Sequence, residues 1–224
     1  MRLVYQQELA EIQDRLVEIA GMVESAIRRA TEAFNNSNVA LAEEVIDDDE
    51  LVDVKAEELD ALVIGVMARQ QPVASDLRLM VGSLRMSSSL ERMADLAQHI
   101  AQLARYRYPE SAIPRGLKKT FRRMGELDIL IAQEMVKLLR ELEIEHIRNI
   151  RNYDTEVDEL HAKVFAKVLS EKLSNNPTGV VDATLASRYH ERFGDHAKKI
   201  TEQVHFYVTG DVTVSPELTG ETED

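Results

Sequence analysis

The chain has 224 residues, 44% apolar and 30% charged, a balance that supports one large folded domain or two small ones with a real core. Forty Asp and Glu against 27 Lys and Arg leave a net charge of −13, which argues against a broad binding surface for nucleic acid or anionic lipid and favours basic or cationic partners. The absence of Cys excludes disulfide frameworks, thiolate zinc sites and cysteine nucleophiles. The opening residues turn polar too soon for a signal peptide, and no apolar run approaches the roughly 18–20 residues of a membrane span. A cytoplasmic location is the expectation.

In chain order, Leu9, Ile12, Leu16, Ile19, Val23 and Ile27 alternate by three and four and predict a helix running to about Phe34. Asn35-Asn-Ser-Asn38 ends it, because these side chains compete for backbone hydrogen bonds. A second helix is expected from Val39 to about Arg69, stopped by Pro72, and Pro72-Val-Ala-Ser-Asp76 opens a third that carries Leu77, Met80, Leu84, Leu90 and Met93 to Tyr106. Two prolines and a glycine between Tyr108 and Gly116 read as a linker. The pattern then restarts, with helices over Leu117–Leu142, Ile144–Leu173 and Val180–Val208 and a break at Ser174-Asn-Asn-Pro-Thr-Gly179. The expected organisation is therefore all-α, with three-helix units at 1–108 and 117–210, a linker at 109–116 and a disordered acidic tail at 211–224.

The two halves are related. Leu90-Glu-Arg-Met-Ala-Asp-Leu-Ala-Gln-His-Ile100 aligns with His190-Glu-Arg-Phe-Gly-Asp-His-Ala-Lys-Lys-Ile200, sharing Glu, Arg, Asp, Ala and Ile at identical offsets, and Asp49-x3-Asp53 matches Asp154-x3-Asp158. Acids four residues apart stand on one helix face, where like charges destabilise the helix unless something neutralises them. With 40 acids in the chain, roughly seven such pairs arise by chance, so a single pair carries no weight. Four in matching places mark Asp49, Asp53, Glu91 and Asp95, with Asp154, Asp158, Glu191 and Asp195, as candidate metal ligands. Oxygen donors suit Mg²⁺, Ca²⁺, Mn²⁺ or ferrous iron, and imidazole from His99, His161 or His196 is available to join them. Small Ala94 and Gly194 permit a close approach to the same face. Arg92 and Arg192, beside these acids, are suited to orienting a carboxylate, contacting a phosphate or bridging a surface Glu.

Nothing else in the chain points to catalysis. No Gly-rich phosphate loop, nucleophile elbow or His-Glu-x-x-His pair is present, and Ser87-Ser-Ser89 lies in a predicted helix without an activating base. The expectation is a protein that is not an enzyme.

Three features together resemble the PhoU family of bacterial phosphate-transport regulators: Ala68-Arg-Gln-Gln-Pro-Val-Ala-Ser-Asp-Leu-Arg78, the two Glu-Arg-x-x-Asp strings, and the Asp49/Asp53 and Asp154/Asp158 pairs. The likeness covers almost the whole chain. It implies two tandem three-helix bundles with pseudo-twofold symmetry, and divalent ions or multinuclear clusters, with Mg, Mn, Fe and Zn as candidates, held by Glu/Asp-x3-Asp motifs. It also implies repression of phosphate-starvation genes when phosphate is plentiful, through contacts with the ATP-binding subunit of the phosphate ABC transporter and a phosphate-sensing histidine kinase. On this reading the chain meets the membrane only peripherally, through those partners; it binds no nucleic acid, and homodimerisation is left open. The second half departs from the pattern: Ser174–Gly179 replaces the Arg-Gln-Gln-Pro string, and Asp158 to Glu191 spans 33 residues where Asp53 to Glu91 spans 38.

Two other functions compete. A carboxylate-bridged di-iron enzyme needs two Glu-x-x-His pairs, of which only Glu143-Ile-Glu-His146 is present. A metal-free helical scaffold would leave the acidic pairs solvated and act by partner binding alone.

Overall fold

Pro72, Pro109, Pro114 and Pro177 all fall at or between helix ends, so among the described residues no proline interrupts the long runs of helix-favouring residues. The computed structural model describes residues 2–169 and 176–213 and contains six long helices with no strand among them. They are α1 (Arg2–Asn36), α2 (Val39–Gln70), α3 (Ala74–Arg107), α4 (Lys118–Glu141), α5 (Ile144–Val168) and α6 (Pro177–Thr209).

Capping side chains and left-handed residues set the boundaries. Ser37 turns left-handed after α1, the Asn38 N–H returns to the Ala33 carbonyl, and the Asn38 side chain accepts from the Leu41 N–H to start α2. Gln71, Leu142 and Gly210 close α2, α4 and α6 in the same left-handed manner, each N–H reaching back four residues. The start of α6 differs from the expectation. Pro177, Thr178 and Gly179, assigned above to the break, form its first turn, because Asn176 caps the Gly179 N–H and Pro177 has a preset φ with no amide to leave unpaired. The first helix also begins at Arg2 rather than Leu9. The expected end of helix five at Leu173 and the expected disorder of the tail beyond Thr213 lie outside the described residues.

Within each half the three helices pack on one another, and the halves then join like to like: α1 lies against α4, and α3 against α6. That is the isologous contact expected where a repeat is related to itself by a pseudo-twofold axis. All six helices contribute to one aliphatic core; α1, α3, α4 and α6 form the joint between the halves, while α2 and α5 flank it, each packed only within its own half. Because α1 touches three helices, its buried surface widens from the expected stripe of Ile12, Leu16, Ile19, Val23 and Ile27 to include Ala20, Ala26, Ala30 and Ala33. Phe34 and Phe121 meet edge to face across the α1–α4 contact, with ring centroids 5.6 Å apart. Polar ties reinforce the joint. Arg107 at the end of α3 grips Asp182 of α6 through two hydrogen bonds of 2.6 and 2.9 Å, and Gln13 donates to the carbonyls of Leu139 and Arg140 that α4 leaves open.

At the joint between the halves α4 seats against α1 at Gly125, where an added Cβ would overlap the Thr31 side chain. The Thr31 hydroxyl is itself buried without a partner. Gly125→Ala should therefore cost about 1–3 kcal/mol through overpacking. Adding Thr31→Ala should restore most of it, read as the urea midpoint of the single and double variants; independent, additive effects would show that the two residues do not share this contact.

A second polar tie lies in the α4–α5 hairpin. Burial alone would raise the Glu134 carboxyl, but Lys137, Asn149 and His146 donate to it and hold it at about 2. Burial opposes protonation of His146, yet its bonds to Glu134 and Glu141 raise it above its ordinary value. Glu134 therefore stabilises the fold above about pH 4.3 and loses this as pH falls towards 2, while the His146 contribution is complete below about pH 6.5 and fades above it. The stability gap between wild type and Glu134→Gln should peak between those limits, at about 1.5–3 kcal/mol, and narrow on both sides in urea melts run across pH. A gap independent of pH would rule this linkage out.

Candidate functional site

Asp49 and Asp53 lie one turn apart on α2, and Glu91 and Asp95 one turn apart on α3, so packing of these helices brings the first four candidate residues onto one shared face. Asp49 is buried, and its Oδ2 accepts a 2.7 Å hydrogen bond from Gln98, whose own amide oxygen is held by Gln102 at 3.0 Å. Burial pushes the Asp49 carboxyl up to about 6, with Asp95, Asp53 and Glu91 adding to the shift. Asp53 and Glu91 are raised in the same way, first by burial and then by the neighbouring acids. The one salt bridge to this quartet among the described residues joins the exposed Arg92 to Asp95 at 2.7 Å. Four carboxylates thus face one peripheral guanidinium and a neutral amide, an excess of negative charge with oxygen donors only. This donor set fits a hard divalent cation.

The second quartet is assembled by the equivalent helices, α5 and α6, but it is balanced differently. Lys198 Nζ lies 2.8 Å from Asp154 Oδ2, 3.0 Å from Asp195 Oδ1 and 3.9 Å from Asp158 Oδ2. Burial still pushes Asp154 up to about 6 against the pull of Lys198, while the two nearest carboxylates raise Lys198 in spite of its own desolvation. Asp154 Oδ1 is buried without a hydrogen-bond partner and occupies the space that a Cβ at Gly194 would fill. Glu191 is raised by burial and by Asp195; Arg188 donates to its Oε1, while its Oε2 is buried without a hydrogen-bond partner.

In neither quartet do three ligand atoms converge within 4.8 Å. Among the described residues Glu141, Glu143 and His146 do so. That group is the α4–α5 turn, where both ring nitrogens of His146 are already engaged, by Glu134 at 2.8 Å and Glu141 at 3.0 Å, so it reads as a structural tie. The histidine of the Glu-x-x-His pair that a di-iron reading would use is spent in the same contact.

The histidines go elsewhere. His99 and His196 line a cleft of about 450 Å³ between α3 and α6, together with Arg92, Arg188, Arg192 and Tyr189. Asp95 lines it too and is bridged by Arg92, while Arg188 is paired with Glu191. Burial first, then Lys199 and Arg192, lower His196 to about 4, which keeps it neutral at physiological pH. Arg92 bridges an acid on its own helix, whereas Arg192 makes no ion pair among the described residues. His161 sits 3.1 Å from the Ser187 hydroxyl, next to the second quartet. His190 is buried 2.6 Å from Asp128, tying α6 to α4, and burial lifts that carboxyl to about 6 although His190 opposes the shift. Ser87 is buried and donates to the Ala56 carbonyl of α2, a packing role.

The residues that reading by acidic spacing passes over are Gln98 and Lys198. Both lie three residues beyond the motif aspartate, and both reach the buried aspartate of the neighbouring helix. Their difference stood in the aligned strings, as Ala-Gln-His against Ala-Lys-Lys, but its meaning depends on which way the side chains point.

A family model described as the PhoU domain matches this chain twice, over residues 16–104 and 121–204, one match for each half. The chain is 33% identical over 210 residues to the phosphate-specific transport system accessory protein PhoU homolog 2 of Mycobacterium tuberculosis, covering 94% of this chain and 99% of that one. It is 30% identical to a PhoU homolog of Rhizobium meliloti over 92% of its own length and 87% of the relative's. Among solved structures, that of PhoU from Pseudomonas aeruginosa superposes with a TM-score of 0.84 at 26% identity, covering 92% of this chain and all of that one. PhoU from Streptococcus pneumoniae, at 19% identity and a TM-score of 0.83, shares the fold. The repeated helices, the repeated acidic faces and the two matched domains together place this chain in the PhoU family.

Proposed function

We propose that this protein is a cytoplasmic regulator of phosphate homeostasis, a negative regulator of the phosphate-starvation response that couples the phosphate-specific ABC transporter to a sensor histidine kinase. The observation that carries the reading is the end-to-end match to a relative named as an accessory protein of the phosphate-specific transport system. No described helix is long and apolar enough to cross a membrane, so on this reading the protein reaches the transporter's ATP-binding subunit and the kinase from the aqueous side. On this reading the work it does is binding rather than chemistry: the Ser187 hydroxyl beside the second quartet already gives its proton to the Thr184 carbonyl, so His161 does not activate it.

A divalent cation belongs to this reading at the first quartet, where Asp49, Asp53, Glu91 and Asp95 would hold it and Gln98 would orient Asp49. When bound, such an ion offsets the repulsion among the four carboxylates and ties α2 to α3. The role is structural.

Deleting the gene should leave phosphate-starvation genes expressed in phosphate-rich medium, with repression restored by the wild-type copy; unchanged transcription in the deletion strain would remove the proposed role. In the purified protein, Glu91→Gln with Asp95→Asn should lower metal content and weaken capture of the transporter's ATP-binding subunit together, in a variant that still melts cooperatively. Full capture after metal loss would make the metal incidental.

A further inference from the structure

We infer that the two acidic sites are not equivalent: the first requires a divalent cation from solution, whereas the second carries its own cation, the ammonium of Lys198, where the metal would otherwise sit. The inference rests on the reading of the first quartet as a metal site and adds which of the two sites is loaded.

The repeat itself supplies the comparison. Gln98 and Lys198 are equivalent positions, three residues after Asp95 and Asp195, and each points at the buried aspartate of the neighbouring helix, Asp49 at 2.7 Å and Asp154 at 2.8 Å. The backbone places the same kind of group at both sites, and only its charge differs. An amide donates one hydrogen bond to Asp49 and leaves the charge of the quartet unchanged. An ammonium has three donors and a full positive charge, and Lys198 directs them at three carboxylates of one quartet, the 3.9 Å approach to Asp158 being the longest. Each site also has one arginine at its edge, Arg92 on Asp95 in the first and Arg188 on Glu191 in the second, so these cancel in the comparison. What remains is a quartet of four carboxylates facing an amide and a quartet of four carboxylates facing an ammonium.

A divalent ion bound through oxygens of Asp154 and Asp195 would sit at roughly 2.0–2.6 Å from them. It would then share both ligands with Lys198 Nζ, itself 2.8 and 3.0 Å from the same residues, and two cations would be held side by side. The ammonium must leave for the metal to enter. The small residue on α6 acts in the same direction. Gly194 stands where the first half has Ala94, and without a Cβ there Asp154 seats against the α6 backbone, within reach of Lys198.

The test is a Mn²⁺ titration of the full chain after chelator treatment, following bound metal by elemental analysis and by the electron paramagnetic resonance of the ion. Wild type should bind Mn²⁺ at the first site, so that Gln98→Lys abolishes binding while Asp154→Asn with Glu191→Gln leaves it unchanged. Lys198→Gln should add a second set of bound ions that disappears when Asp154→Asn is combined with it. Lys198→Gln should also melt at lower temperature than wild type without metal and recover when Mn²⁺ is added, which separates a newly opened site from a damaged fold. Loss of wild-type Mn²⁺ in the Asp154→Asn, Glu191→Gln variant would overturn the inference and leave the first-site reading standing. So would a Lys198→Gln protein that gains no metal beside a wild type that binds it. Absence of binding in both wild type and Lys198→Gln would remove the metal reading and the inference with it.

Discussion

The structure depends on how closely α1 approaches α4 and α3 approaches α6. Four helices can share one core only if their backbones come near enough for side chains of both halves to interleave, and small residues permit this. Ala20, Ala26, Ala30 and Ala33 give α1 a low profile on the sides that a conventional stripe would leave to solvent, and Gly125 lets α4 settle on Thr31. The larger residues then fill the remaining space, with Phe34 and Phe121 edge to face at the joint. Because α1 meets α4 and α3 meets α6, two domains of one family become a single packed body, and α2 and α5 flank it, each carrying one acidic pair.

That placement creates the electrostatic character of the sites. Asp49 and Asp154 each lie in the seam between an outer helix and an axial one, where desolvation disfavours the charged carboxylate and neighbouring acids disfavour it further. A buried carboxylate without a partner is costly, and the protein meets the cost differently on its two sides, with an amide on one and an ammonium on the other. The same constraint appears at the α4–α6 contact, where His190 is the hydrogen-bond partner of Asp128, and at the α3–α6 contact, where Arg107 takes Asp182. In a chain of net charge −13, carboxylates in the core are each matched to a specific donor, while the arginines gather at the cleft between α3 and α6.

The six helices, their order and the repeat were legible in the sequence because each rests on local chemistry: apolar spacing at three and four, proline at the breaks, asparagine and glycine at the caps. The α6 boundary misread its first turn because Asn-Pro-Thr-Gly suits a loop and a capped helix start equally, and only the Asn176 bond to Gly179 distinguishes them. The eight acids were likewise found by spacing, since residues four apart on a helix must share a face. The sequence could also show that Gln98 and Lys198 were equivalent positions. It could not show that both side chains turn towards the buried aspartate of the adjacent helix, that His99 and His196 line the cleft between α3 and α6, or that His146 is held by Glu134. Those outcomes depend on which helix lies beside which and at what rotation. The sequence by itself determined the elements and the faces they carry; the tertiary structure alone decided which charges meet, because a contact between distant residues is a property of packing and not of periodicity.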